Sequence, residues 1–188
     1  MLRGMQAGER SKVDQFALVI YVPSPLKELL DGLREDLVPN CRLHAHVSVL
    51  PPRPLAASTR LAAEQARGTS REFAPFEIGL GEVRVFPGTR VVYIEVEEGR
   101  NQLRGMHQSL NREAFHFVEE YQYHPHLTLA QDFPEAELRR IEELAKQRWR
   151  EFRGPRRFRA GELVFVQNRN GQGWADLETI SMGQVPAK

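Results

Sequence analysis

The sequence contains a single cysteine, Cys41, so an internal disulfide framework and any zinc site built on several thiolates are excluded. Cys41 lies just before an apolar strand and reads as buried filler in a reducing, cytoplasmic compartment. No apolar run approaches the roughly 20 residues that cross a bilayer, so no membrane partner is expected. An excess of one charge is also missing. The 26 Lys and Arg face 25 Asp and Glu, and a net charge of +1 does not suggest a general nucleic-acid coat. Residues 1–12 are polar, lack the apolar stretch of a secretory signal, and read as a frayed tail. No Pro/Gly-rich linker interrupts the rest, so 13–184 is expected to pack as one body, its halves meeting near 88–100.

What is present is an ordered alternation of strand and helix signals. Phe16 to Val22 is an apolar, β-rich run. Ser24-Pro25 predicts a helix start, with Leu26, Leu29, Leu30, Leu33 and Leu37 as its apolar stripe and Pro39 closing it. His44 to Leu50 predicts a second strand, ended by Pro51-Pro52. A helix from about Leu55 to Arg67 follows, stopped at Gly68. Phe76 to Phe86 and Arg90 to Val96 read as strands joined at Pro87-Gly88.

The order then restarts. A helix is expected from about Asn101 to Phe117, with Leu103, Met106, Leu110 and Phe117 facing inward. Next come a strand from His124 to Ala130 and a helix from Pro134 to about Arg150 with Leu138, Ile141 and Ala145 inside. Leu163 to Gln167 and Trp174 to Ser181 form a closing hairpin around Asn170-Gly171.

A single register relates the two halves. His46 and His126 are 80 residues apart, and the same offset pairs His44 with His124 and Ser48 with Thr128. It also pairs Pro54 with Pro134, and Gly81-Glu82-Val83 with Gly161-Glu162-Leu163. The fold class expected is α+β: a bilobal molecule of duplicated β-α-β-α-β units. Pseudo-two-fold symmetry and antiparallel-containing sheets would flank a central groove.

Side chains alternate along a strand, so His46 and Ser48 share one face while Val47 and Val49 point into the core. His126 and Thr128 stand over Leu127 and Leu129 in the same way. Two such pairs converging on one groove suit phosphodiester cleavage. That reaction needs a base for the incoming hydroxyl and an acid for the departing oxygen, on opposite sides of phosphorus. Histidine serves either role near neutral pH, and the two hydroxyls can donate to the non-bridging phosphate oxygens.

HVSV and HLTL resemble the duplicated histidine–hydroxyl signature of the two-histidine (2H) phosphoesterases. That superfamily includes the bacterial RNA 2′,3′-cyclic phosphodiesterases, also called 2′-5′ RNA ligases. The resemblance covers about Phe16 to Met182, including Pro125 before the second histidine. It implies catalytic His46, Ser48, His126 and Thr128, with His46 as acid and His126 as base, roles that can exchange with reaction direction. It further implies no metal and no cofactor. The implied substrate is RNA with a cyclic phosphate end, or a cyclic nucleotide, bound by a monomer. The rival readings are a catalytically silent RNA- or nucleotide-binding protein, and a metal-dependent hydrolase using His44, His46, His124 and His126.

His44 and His124 each precede a motif histidine by two residues and are candidate substrate contacts on the same strand face. Four imidazoles would invite a transition metal, but no carboxylate or cysteine lies nearby in sequence. Trp174 could stack on a nucleobase, and Phe86 and Tyr93 are similar candidates, with packing the plainer role for all three. Trp149 and Tyr123 read as core. Arg42, Arg53 and Arg84 could meet a phosphate tail. The basic stretch from Lys146 to Arg159 reads as a helix end and loop that could also attract a phosphate-bearing ligand. Gly79-Leu80-Gly81 lies in a strand with no helix after it, which predicts a bulge or a close backbone contact rather than a dinucleotide loop.

Overall fold

Two runs of strand and helix appear in a computed structural model, which describes residues 14–39, 43–169 and 173–183. The first run is β1 (Gln15–Tyr21), α1 (Leu26–Leu37), β2 (His46–Arg53), α2 (Thr59–Ser70) and β3 (Phe76–Val85). The second is β4 (Val92–Glu98), α3 (Arg100–Leu110), β5 (His126–Ala130) and α4 (Leu138–Glu151), followed by β6 (Arg157–Ala160), β7 (Glu162–Asn168) and β8 (Trp174–Ser181). The first twelve residues, Cys41, Arg42 and the Asn170-Gly171 turn lie outside the described residues.

The strands form two antiparallel four-stranded sheets, ordered β2-β1-β7-β8 and β5-β4-β3-β6. The sheets exchange strands. β3 of the first run pairs with β4 of the second, while β7 of the second pairs with β1 of the first. The 80-residue register therefore carries β2 onto β5 and β3 onto β7, and each pair holds the same rank in its own sheet. The edge strands β2 and β5 pack against each other, α1 crosses to cover β5, and α3 crosses to cover β2. Each motif strand is thus backed by a helix from the other half. Leu30, Leu33, Leu37, Leu103, Met106 and Leu110 form the buried stripes of those helices.

Several boundaries differ from the sequence expectation, each for a local reason. β2 begins at His46 and runs through Pro51-Pro52 to Arg53. An edge strand tolerates proline because an outward N–H has no ladder partner to lose. Ser24 does not cap α1; its hydroxyl donates to Glu28 Oε1 at 2.5 Å, and Pro25 holds the cap position. α2 starts at Thr59, where Ser58 Oγ accepts from Leu61 N at 3.4 Å, and it continues through Gly68 to Ser70. α3 stops at Leu110 because Asn111 folds its side chain onto Phe117, accepting from its N–H and donating to its carbonyl. Phe117 is consequently exposed rather than inward.

β6 was hidden by charge. Arg157 and Arg159 point outward while Phe158 and Ala160 are buried, a strand alternation inside what read as a basic loop. The Gly79-Leu80-Gly81 expectation holds: β3 shifts register there against β4, and Trp149 Nε1 donates to the Gly81 carbonyl at 2.7 Å.

Candidate functional site

The strand alternation places the two motifs as their sequences require. Val47, Val49, Leu127 and Leu129 are buried, and His46, Ser48, His126 and Thr128 are half-buried on the opposite faces. β2 and β5 are edge strands in contact, which brings His46 and His126 within electrostatic reach of each other, although the cleft beside them takes in Ser48 and His126 and not His46 or Thr128. A cleft of about 240 Å³ there is lined by Ser48, Arg53, Phe117, Tyr121, His124 and His126. A larger hollow of about 820 Å³ lies elsewhere, between β3 and α4, and holds neither motif.

The motif rings are oriented in matching ways. His46 Nδ1 lies 2.7 Å from the His44 carbonyl and His126 Nδ1 lies 2.6 Å from the His124 carbonyl. A carbonyl only accepts, so each Nδ1 carries the proton and Nε2 is the ring nitrogen left for chemistry. The upstream twins thus serve through their backbone.

Carboxylates restrain the side chains of the twins. Asp31 on α1 approaches His44 Nδ1 at 2.9 Å and accepts from Ala45 N at 2.6 Å. Glu95 on β4 approaches His124 Nε2 at 2.9 Å, off the ring N–H axis. His44 and His124 precede strands that begin at the motif histidine, yet each lies on the same side as its motif ring: Tyr21 meets both His44 and His46, and Phe86 and Tyr93 meet both His124 and His126. Among the described residues no three His, Cys, Asp or Glu side chains are grouped as a metal ion would need.

Burial is the main electrostatic influence. It pushes His46 down to about 4, helped by the positive charges of Arg34 and His126 and opposed by the His44 carbonyl and by Asp31. Burial lowers His126 too, with His124 in the same direction and the His124 carbonyl and Glu95 opposing. Both rings therefore favour the neutral form at pH 7.

A second layer fixes the strand backbones. Arg34 donates from Nη1 to the Thr128 carbonyl at 2.6 Å, Tyr123 donates from its hydroxyl to the Ser48 carbonyl at 2.8 Å, and His107 Nδ1 donates to the Val49 carbonyl at 2.8 Å. His107 and Tyr123 stack with centroids 4.0 Å apart. The Arg53 guanidinium is fully buried and pairs with Glu119, which also meets His107 Nε2 at 3.1 Å. Arg53 is thus a structural cation, contrary to its place among possible phosphate contacts. Arg84 is half-exposed and lies 4.0 Å from Glu95.

Aromatic rings flank both histidines. Tyr21 meets His46 edge-on at 6.3 Å and donates its hydroxyl to Asp176. Phe86 and Tyr93 stack at 4.0 Å, and both present edge-on to His126. Trp174 packs with Tyr21 against Ala17, Val19, Val164 and Val166, on the His46 face of its sheet but at the far strand. Trp149 is core, with Arg156 over its ring at 4.6 Å. Sequence reading missed Asp31, Arg34, Glu95 and Glu119. For Glu95 a signal existed: it is a lone carboxylate inside the apolar run of β4.

This fold and paired-histidine groove define a two-histidine phosphoesterase, and the chain belongs to the 2′-5′ RNA ligase superfamily, whose profile matches residues 22–172. A phosphoesterase by name from Geobacillus kaustophilus is 24% identical over 132 residues, covering 65% of this chain and 72% of that protein. Escherichia coli LigT complexed with 3′-AMP is similar in fold, with a TM-score of 0.59 at 15% identity over 91% of this chain and 99% of that one. Kluyveromyces marxianus Usb1 with uridine monophosphate gives a TM-score of 0.50 at 15% identity, covering 91% and 99% of the two chains. Among the described residues no helix is long and apolar enough to cross a membrane.

Proposed function

We propose that the protein is a phosphodiesterase that opens 2′,3′-cyclic phosphates of RNA ends or small nucleotides, with His46 and His126 together as its general acid–base pair and without a metal. The observation that carries this reading is the matched pair of Nδ1–H to carbonyl bonds, which leaves one Nε2 for chemistry on each motif strand, on the strand face that also carries Ser48 or Thr128. In the reaction, water bonds to phosphorus and gives its proton to the neutral imidazole. The bond to one ribose oxygen breaks, and that oxygen takes a proton from the imidazolium. Ser48 and Thr128 donate to the non-bridging oxygens, where charge builds. The nucleotides held by LigT and Usb1 support a nucleotide substrate.

The test is incubation with 2′,3′-cyclic mononucleotides and with a short RNA ending in a cyclic phosphate, with and without chelator. Turnover that survives chelator and falls about 10²–10⁴-fold in both His46→Ala and His126→Ala is expected. Binding without turnover would replace the enzyme with a nucleotide-binding protein, and loss of turnover on chelation would replace it with a metal-dependent hydrolase.

A further inference from the structure

The two walls of the groove are related by the repeat but are chemically unequal. In each sheet one residue stands directly across the ladder from the motif histidine: Tyr21 opposite His46, and Glu95 opposite His126. Directly opposed residues of an antiparallel pair bring their side chains about 4.5–5.5 Å apart at Cβ. One wall therefore presents a phenol hydrogen-bonded to Asp176, and the other a buried carboxylate.

Glu95 is also held in place. Its Oε1 lies 2.9 Å from His124 Nε2 and accepts from Arg100 at 3.0 Å, while Oε2 lies 4.0 Å from Arg84. The His124 carbonyl in turn accepts the His126 Nδ1–H. Glu95 thus both meets the ring of His124, by ion-pair approach without a hydrogen bond, and holds the ladder position facing His126. On the other wall the equivalent restraint comes from Asp31, a residue of α1 that Lys27 pairs at 3.0 Å.

The other charged and titratable groups around His126 are few. β4 contributes Tyr93 beside Glu95, α1 contributes Arg34 at the Thr128 carbonyl, and β2 contributes His46 across the groove. At His46, Arg34 and His126 disfavour a proton and Asp31 favours one; at His126, His124 disfavours a proton and Glu95 favours one, and only at His126 does the carboxylate stand directly across the ladder.

Resting on the function proposed above, we infer that Glu95 is a positioning residue that makes the site directional. Through its place opposite His126 and its hold on His124, it favours the His126 imidazolium. His126 then gives the proton to the departing ribose oxygen, and His46 takes the proton of the attacking water. This is the reverse of the roles that the resemblance implies.

Two measurements on the full chain test the inference. The first follows the ring protons of His46 and His126 by NMR as pH is varied, and needs no turnover. In Glu95→Gln the His126 midpoint should fall by about one pH unit, with His46 little changed. Arg100→Gln frees the carboxylate from its cation and should move the His126 midpoint upward, a response that loss of packing alone would not produce. Asp31→Asn should lower the His46 midpoint and leave His126 in place. Unmoved midpoints in both Glu95→Gln and Arg100→Gln, or equal shifts at the two rings, would overturn the role of Glu95.

The second measurement assigns the acid. A p-nitrophenyl ester of a nucleotide releases a phenolate that needs no proton. On it, His126→Ala should retain most of the wild-type rate while His46→Ala does not. The opposite pattern would overturn the assignment. If the wild-type chain turns over neither cyclic phosphates nor this ester, the function proposed above fails, and the NMR titration still judges Glu95.

Discussion

Removing the Glu119 carboxylate is expected to destabilise the protein because it strands a buried cation. The Arg53 side chain is 1% exposed, and Glu119 supplies its carboxylate partner at 19% exposure. In Glu119→Ala, Arg53 keeps the Pro51 carbonyl at 2.9 Å, Asn111 Oδ1 at 2.9 Å and the Phe115 carbonyl at 3.4 Å. These neutral acceptors remain, but the counter-charge is gone. Breaking a buried pair from one side costs about 3–5 kcal/mol. Glu119 sits where water reaches, and the remaining acceptors stay in place, so the expected loss is about 2–3 kcal/mol. For a chain of this size that lowers Tm by about 4–12 °C.

Urea unfolding and calorimetry of the wild type and Glu119→Ala would measure this. A third variant combines Glu119→Ala with Arg53→Met, replacing the cation by an apolar chain of similar length. If the stranded charge is the cause, the double variant is more stable than Glu119→Ala alone. A Glu119→Ala loss below about 0.5 kcal/mol, the range of ordinary surface substitutions, would refute the reasoning, as would additive losses in the double variant.

Three further outcomes follow from the groove. The kcat/KM profile for a cyclic phosphate should be bell-shaped with its maximum on the acid side of neutrality, because His46 titrates near 4 and His126 below its usual 6.5 in the free protein; a flat profile across pH 4–9 (roughly the histidine range) would contradict it. Ser48→Ala and Thr128→Ala should each lower kcat by about 10²-fold if their hydroxyls meet developing charge, measured with saturating cyclic mononucleotide, and unchanged kcat in both would remove that role. The unfolded chain binds protons more readily at position 46, so this contribution to stability is complete above about 6.5 and lost as pH falls towards 4. The full shift would be worth at most ~3 kcal/mol and, with the ring half-open to the groove, about 1–2 kcal/mol; a His46→Asn variant should lose correspondingly less stability than wild type between the two pH values in urea titrations.

The sequence by itself determined the parts of this site that depend on local periodicity. Alternation within HVSV and HLTL decided which side chains leave the core, and the 80-residue register decided that the two strands are equivalents. Both are properties of a strand with a period of two, readable without knowing its neighbours. Errors clustered where a local rule met a tertiary one: prolines ended β2 on paper but are harmless at a sheet edge, and arginines concealed β6 although its alternate residues are buried.

Only the tertiary structure decided what surrounds each histidine. Asp31 lies 13 residues from His44 and on a helix, and Glu95 lies on β4 whereas His124 precedes β5. Their approach follows from sheet order and from helices that cross between halves, and neither is encoded in the spacing of any motif. The repeat makes the two walls alike in sequence; strand pairing places a phenol opposite one histidine and a carboxylate opposite the other. That inequality arises from which side chains meet across a ladder, and a linear pattern holds no information about it.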